Sequence, residues 1–187
     1  MIRRFCAFLL RVWGWRVSGE YPHHLDKIVL AAAPHTSNWD FPVGVLINTA
    51  LNLRANYVGK STLFRWPFGR MFRALGGIPV DRSKRNNFVQ ATVHAFARER
   101  RLHLVIAPEG ARNRVERFKT GFYHIARLAQ TPILLITFDW QSRELRFGEL
   151  FYPTDDEQRD LAYIWDYFKG VQGKRPEHGL GANPYKS

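Results

Sequence analysis

His35 and Asp40 stand five residues apart in Pro34-His35-Thr36-Ser37-Asn38-Trp39-Asp40. An imidazole backed by a carboxylate is the composition of a general base: the carboxylate holds one ring nitrogen and the other is left free to take a proton. On one continuous helix, positions five apart point about 140° away from each other. The two side chains can therefore meet only if His35 lies in a loop and Asp40 in the first turn of the next helix. Ser37 and Asn38 as N-caps, Asp near a helix N-terminus and Pro42 inside the first turn all permit this. A polar turn that does no more than cap a helix has the same composition, so the pair alone does not decide.

Three further polar clusters follow. Gly76-Gly77-Ile78-Pro79-Val80-Asp81-Arg82 places an arginine just past an extended piece. Pro108-Glu109-Gly110-Ala111-Arg112 puts a carboxylate, a permissive glycine and an arginine after an apolar run, and Arg114, Arg117, Lys119 and Gly121 come next. Each cluster alone also fits a helix stop or a solvated basic loop. With His35 and Asp40 they supply one base, one orienting acid and several cations, a set suited to acyl transfer onto an alcohol that carries a phosphate.

The elements that must hold these residues alternate. Lys27 to Ala33, Leu102 to Ala107 and Pro132 to Asp139 are apolar runs that predict buried strands. Asn56 to Gly59 and Ile78 to Val80 predict shorter ones, and a strand around Leu145 to Phe147 follows the turn at Gln141-Ser142. Helices are predicted over 39–51, after Pro67, and over 86–101 and 120–129. A last helix carries Leu161, Ile164, Trp165 and Phe168 on one face, with Thr154 and Glu157 as its capping box. Strands alternating with helices predict an α/β domain: helix layers around a mixed, mostly parallel sheet, with the last strands free to run antiparallel.

A chain of this length fits one domain, and 45% hydrophobic residues exclude intrinsic disorder. The formal net charge of +12 calls for an anionic partner. Fourteen Phe and six Trp favour a membrane surface, while nucleic acid also fits the charge. The single cysteine, Cys6, excludes an internal disulfide, and the seven histidines show no metal-ligand spacing. At the N-terminus, Phe5 to Leu10 is too short an apolar run to span a bilayer and lacks the flanks of a signal peptide. Arg3, Arg4 and Arg11 share one sector of a helical wheel, and Ile2, Phe5, Phe8, Leu9, Val12 and Trp13 fill the rest. That is the pattern of a helix lying in a membrane interface, and equally of a terminal helix packed on the domain. The organisation expected is an interfacial helix over 1–18, the main domain over 19–170, and a loosely held Gly-, Pro- and Lys-containing tail over 171–187.

Taken in order, the clusters resemble the glycerolipid acyltransferase family typified by lysophosphatidic acid acyltransferase. His35 and Asp40 match its His-x-x-x-x-Asp motif. Gly77-Ile78-Pro79-Val80-Asp81-Arg82 matches a second block, Pro108, Glu109, Gly110 and Arg112 match a Pro-Glu-Gly-Thr-Arg block, and Pro132-Ile133-Leu134-Leu135-Ile136 matches a fourth. Lys60 and Phe118-Lys119-Thr120-Gly121 also look like family positions, and the similarity covers about residues 28–140. The resemblance implies transfer of a fatty acyl group from a thioester donor, acyl-CoA or acyl carrier protein, to the hydroxyl of lysophosphatidic acid. His35 would be the base and Asp40 its orienter. Lys60, Arg82, Glu109, Gly110, Arg112 and Lys119 would form the phosphate-binding region. Neither metal nor cofactor beyond the acyl donor is implied, and the expected location is peripheral, on the cytoplasmic face of the membrane. Ala111 departs from the family, which has Thr there; the loss of that hydroxyl leaves another lysolipid acceptor open. A non-catalytic membrane-surface protein and a nucleic-acid-binding module are the readings from other classes.

Overall fold

The structure, a computed structural model, describes residues 1–80 and 85–186, with the backbone alone at a few positions that include Lys60. The central strand is β2, Lys27–Ala33. Its apolar run has no polar alternation because both faces are covered: Val29, Ala31 and Ala33 point into one core and Ile28 and Leu30 into the other.

Six further strands complete the sheet: β1 (Arg16–Ser18), β3 (Asn56–Lys60), β4 (Gly77–Val80), β5 (Leu102–Ile106), β6 (Ile133–Asp139) and β7 (Glu144–Phe151). Their order is β1-β7-β6-β2-β5-β3-β4. β2 pairs in parallel with β5 on one side and β6 on the other. β7 returns antiparallel to β6 through a tight connection, as the Gln141-Ser142 turn predicts. The three-residue β1 pairs in parallel with β7 and has no counterpart in the sequence reading.

Helices cover both faces. α1 (Ile2–Val12) and α2 (Asp40–Leu51) lie against each other, and their Leu10, Val43 and Ile47 enter the core that holds Ile28 and Leu30. α3 (Gly69–Ala74) follows a 3₁₀ turn at Ser61–Phe64, and its Phe72 ring lies 6.1 Å from that of Phe41 on α2. The opposite core is closed by α4 (Arg85–Arg98), α5 (Gly121–Leu128) and α6 (Glu157–Phe168). Phe96, Phe122, Ile125, Ile164 and Trp165 are its large buried side chains. The result is the expected layered α/β architecture, with Leu161, Ile164, Trp165 and Phe168 on the inner face of α6.

Two details differ from expectation. The N-cap of α6 is Asp156, whose side chain accepts the Arg159 N–H at 3.0 Å, not Thr154. Thr154 instead gives its N–H and its hydroxyl to the buried Asp160 carboxylate, at 2.6 and 2.9 Å. The second difference is the C-terminal segment, where composition predicts a loose tail. The Trp165 indole donates to the Gly181 carbonyl, the Phe118 N–H donates to the Tyr185 hydroxyl at 2.9 Å, and Asn183 bonds to α6. Backbone groups make many of these contacts, so side-chain polarity carries no sign of them.

Candidate active site

In this sheet β2, β5 and β6 are neighbours running the same way, so the chain leaves all three at one edge. The carboxyl ends of adjacent parallel strands are where α/β proteins build their sites. His35 follows β2, Glu109 follows β5 and Trp140 follows β6.

The His35 imidazole and the Asp40 carboxylate meet, with Nδ1 to Oδ2 at 2.9 Å. His35 lies in the loop and Asp40 is the first residue of α2, the one arrangement that a five-residue spacing allows. The carboxylate can only accept, so Nδ1 carries the shared proton, and in the neutral imidazole the acceptor is Nε2. The His35 side chain is 27% exposed and that of Asp40 is 6% exposed. The carboxylate is therefore buried while the imidazole keeps access to solvent.

The connecting loop is closed on itself. The Ser37 N–H donates to Asp40 Oδ2 at 3.0 Å, and the Trp39 N–H donates to Ser37 Oγ at 3.2 Å. The Asp40 and Phe41 N–H groups bond to the Ser37 and Asn38 carbonyls. These four backbone donors around the start of α2 are all taken by the loop and the first residue of the helix. Asp40 Oδ1 accepts the Trp140 indole N–H at 2.6 Å.

Glu109 is 2% exposed, and its Oε1 accepts the His35 backbone N–H at 2.8 Å. It thus holds the main chain at His35, and no contact joins it to Arg112 among the described residues. Burial pushes the Glu109 carboxyl above the ordinary carboxylate range, partly opposed by that hydrogen bond. Its second oxygen, Oε2, is buried with no partner among the described residues. Gly110 follows at φ +67°, and a Cβ there would stand 2.7 Å from Lys119 Cγ. Glycine thus lets the Lys119 stem cross directly over the turn, and the Lys119 N–H closes it by donating to the Pro108 carbonyl at 2.7 Å.

Among the remaining expected positions, Arg112 and Lys119 are exposed cations with no ion pair among the described residues. Lys60 ends β3 opposite Val80 of β4. Arg82 lies outside the described residues. Arg117 turns to the C-terminal segment, where it donates to the Pro184 carbonyl and faces the Tyr185 ring at 5.7 Å. Sequence reasoning missed Trp140 and Thr36. Thr36 stands inside the His35–Asp40 stretch but carries no sign of its distant partner Arg175, and Trp140 reaches Asp40 across 100 positions. The only local sign was that Trp140 directly follows a strand.

An α/β sheet whose central strand delivers a supported His–Asp pair to its carboxyl edge has the composition and placement of a general-base site. A sequence model described as acyltransferase matches residues 15–139. The chain is 32% identical, over 186 aligned residues, to the 1-acyl-sn-glycerol-3-phosphate acyltransferase of Haemophilus influenzae, with 87% of this chain and 76% of that protein covered. It is 29% identical to the enzyme of the same name from Escherichia coli, covering 76% of this chain and 60% of that one. The crystal structure of the 1-acyl-sn-glycerophosphate acyltransferase of Thermotoga maritima shares the fold, with a TM-score of 0.61 at 18% identity over 89% of this chain and 74% of that one. The chain belongs to the acyltransferase family.

Proposed function

We propose that this acyltransferase moves a fatty acyl group from a thioester, on coenzyme A or acyl carrier protein, to the free hydroxyl of lysophosphatidic acid, giving phosphatidic acid. The observation that carries the reading is the 2.9 Å contact of His35 Nδ1 with Asp40 Oδ2, on an imidazole 27% exposed, in which Nε2 is the nitrogen not engaged by the carboxylate. The relatives' printed names supply the acceptor class.

A thioester is already activated, so the weak partner is the hydroxyl. Nε2 takes its proton as the oxygen attacks the thioester carbonyl, and Asp40 stabilises the imidazolium that forms. The new C–O bond forms and the C–S bond breaks, and the departing thiolate recovers the proton from His35. Positioned base catalysis of this kind contributes about 10²–10⁴-fold. Arg112 and Lys119, exposed beside the turn that holds His35, are the cations suited to the acceptor phosphate or the donor's phosphates, with Arg82 and Lys60 assigned to the same role by the motif. Glu109 and Gly110 shape that turn. No metal or further cofactor enters these steps.

The same reading includes peripheral contact with an anionic membrane on its cytoplasmic face. No helix among the described residues is long and apolar enough to cross a membrane. Only Cys6 and Leu10 of α1 are buried, while Ile2, Phe5, Phe8 and Val12 stay exposed. Arg4 and Arg11 are exposed on the same helix, which suits an element lying in the headgroup layer. Trp66, Phe68 and Met71 are also exposed, next to Arg65, Arg70 and Arg73.

The test is a turnover screen that follows thiol release from acyl-CoA or acyl carrier protein with lysophosphatidic acid and with lysophosphatidylcholine as acceptors. The expected result is turnover that prefers the phosphate monoester. Preference for the zwitterionic acceptor would shift the assignment to the alternative that Ala111 keeps open, and no turnover with any pair would reject it.

A further inference from the structure

Asp40 uses both carboxylate oxygens. Oδ2 receives His35 Nδ1 and the Ser37 N–H, while Oδ1 receives one side-chain donor, the Trp140 indole at 2.6 Å. Trp140 is itself held from several sides. Its backbone N–H donates to the Gln172 carbonyl at 2.8 Å, and its ring meets Trp15 edge-on at 5.0 Å. Lys174 Nζ sits 4.7 Å from the Trp140 ring centre and 4.6 Å from that of Trp39, the residue just before Asp40. The same C-terminal stretch reaches the loop directly. The Arg175 N–H donates to Thr36 Oγ1 at 3.1 Å, and a Cβ on Gly173 would stand 2.4 Å from that oxygen.

From this geometry we infer that Trp140 is a positioning residue for the His35–Asp40 pair, and that segment 172–175 clamps Trp140 and the catalytic loop together. The inference rests on the proposed role of His35 as base. Asp40 as a carboxylate could rotate about its side chain and still touch one nitrogen. The indole N–H removes that freedom by fixing the second oxygen, so the first stays in line with Nδ1. It also draws negative charge from the carboxylate, which tempers how strongly Asp40 favours the imidazolium. Among the described residues, the charged groups that face the pair are Glu109, from the turn after β5, and Lys174, across the Trp140 ring. Neither changes in Trp140→Phe, the variant whose pH profile is read below.

The tests are Trp140→Phe, which keeps the ring packing and deletes the donor, and Lys174→Met, which removes the cation between the two rings. In Trp140→Phe, kcat falls about tenfold with acceptor KM nearly constant, because the lost contact supports the reacting state and not binding. The acidic limb of the kcat/KM profile moves to higher pH, because the carboxylate left with one donor fewer holds the imidazolium more strongly. A purely structural tryptophan would lower the melting temperature and leave that limb in place. Lys174→Met gives a smaller loss of kcat in the same direction.

An NMR readout needs no turnover. One indole N–H resonance of the wild-type protein should be slow to exchange with water, and it should move in Asp40→Asn. If Trp140→Phe does not fold, this measurement decides alone. Unchanged kcat and pH profile in a folded Trp140→Phe, or six indole resonances indifferent to Asp40→Asn, would overturn the inference. Absence of wild-type turnover together with a responsive indole would instead reject the proposed function and leave the clamp standing.

Discussion

Glu109 Oε1 accepts the backbone N–H of His35 at 2.8 Å, so the carboxylate of the third motif grips the main chain that carries the imidazole of the first. The two segments are 74 positions apart and meet because β5 and β2 are parallel neighbours. A shift of the turn after β5 would thus move His35 itself.

Burial raises the Glu109 carboxyl above its ordinary value of 4.5. A raised value means that the folded state binds the proton more tightly than the unfolded state does. The stabilisation is present at acid pH and is lost as pH rises through the folded value. Replacing Glu109 by Gln removes that titration. The stability of wild type minus that of Glu109→Gln should therefore decrease as pH rises from about 4.5 toward neutrality. Thermal melts of both proteins across that range test the slope, whatever constant offset the amide introduces. A difference independent of pH would show that the buried carboxylate carries no such strain.

At the opposite edge of the sheet, His103 is fully buried between two partners. Its Nδ1 lies 2.6 Å from the Tyr21 hydroxyl and its Nε2 lies 2.8 Å from the Leu25 carbonyl. A carbonyl only accepts, so Nε2 carries the proton and Tyr21 donates to Nδ1. Burial lowers the His103 value below 6.5, and the contact with Leu25 opposes it. The unfolded chain takes up this proton first on acidification, so the group's contribution is lost as pH falls below about 6.5. Tyr21→Phe strands a buried acceptor and should cost about 1–3 kcal/mol. Urea denaturation at neutral pH measures this, and turnover should stay at the wild-type level because His103 pairs with Ile28 near the start of β2, whereas His35 lies beyond that strand's far end.

Phe5, Phe8 and Val12 lie on the side of α1 turned away from the core, at 58%, 59% and 71% exposure. Burying one such side chain in lipid is worth roughly 1.5–3 kcal/mol. The triple change to Ser should therefore lower binding to anionic vesicles by at least about 100-fold. Sedimentation with phosphatidylglycerol vesicles measures it. Turnover on a short-chain acceptor dissolved below its micellar range should persist. Undiminished vesicle binding by the triple variant would move the membrane contact elsewhere, with Trp66 and Phe68 as the next residues to change.

Much of this was readable from residue order because the signals are local. β2, β5 and β6 each form an uninterrupted apolar run between turn residues, and the buried stripe of α6 repeats at helical spacing. The meeting of His35 and Asp40 was likewise a local problem of one loop and one helical turn. What escaped depends on distant partners. The three residues of β1 carry no pattern and become a strand only because the edge of β7 is there to pair with. The clamp at 172–175 uses a carbonyl, an N–H and a glycine, which composition reads as a loose tail. Thr154 and Glu157 have the spacing of a capping box, yet the buried Asp160 carboxylate takes the Thr154 hydroxyl and Asp156 caps the helix.

The central claim is that His35, held by Asp40, removes the proton from the acceptor hydroxyl. The most direct measurement is thiol release from acyl-CoA in the presence of lysophosphatidic acid by His35→Ala, with its fold verified by circular dichroism and denaturation midpoint. The account predicts a fall in turnover of about 10²–10⁴-fold in a folded protein. A folded His35→Ala that releases thiol near the wild-type rate would contradict it.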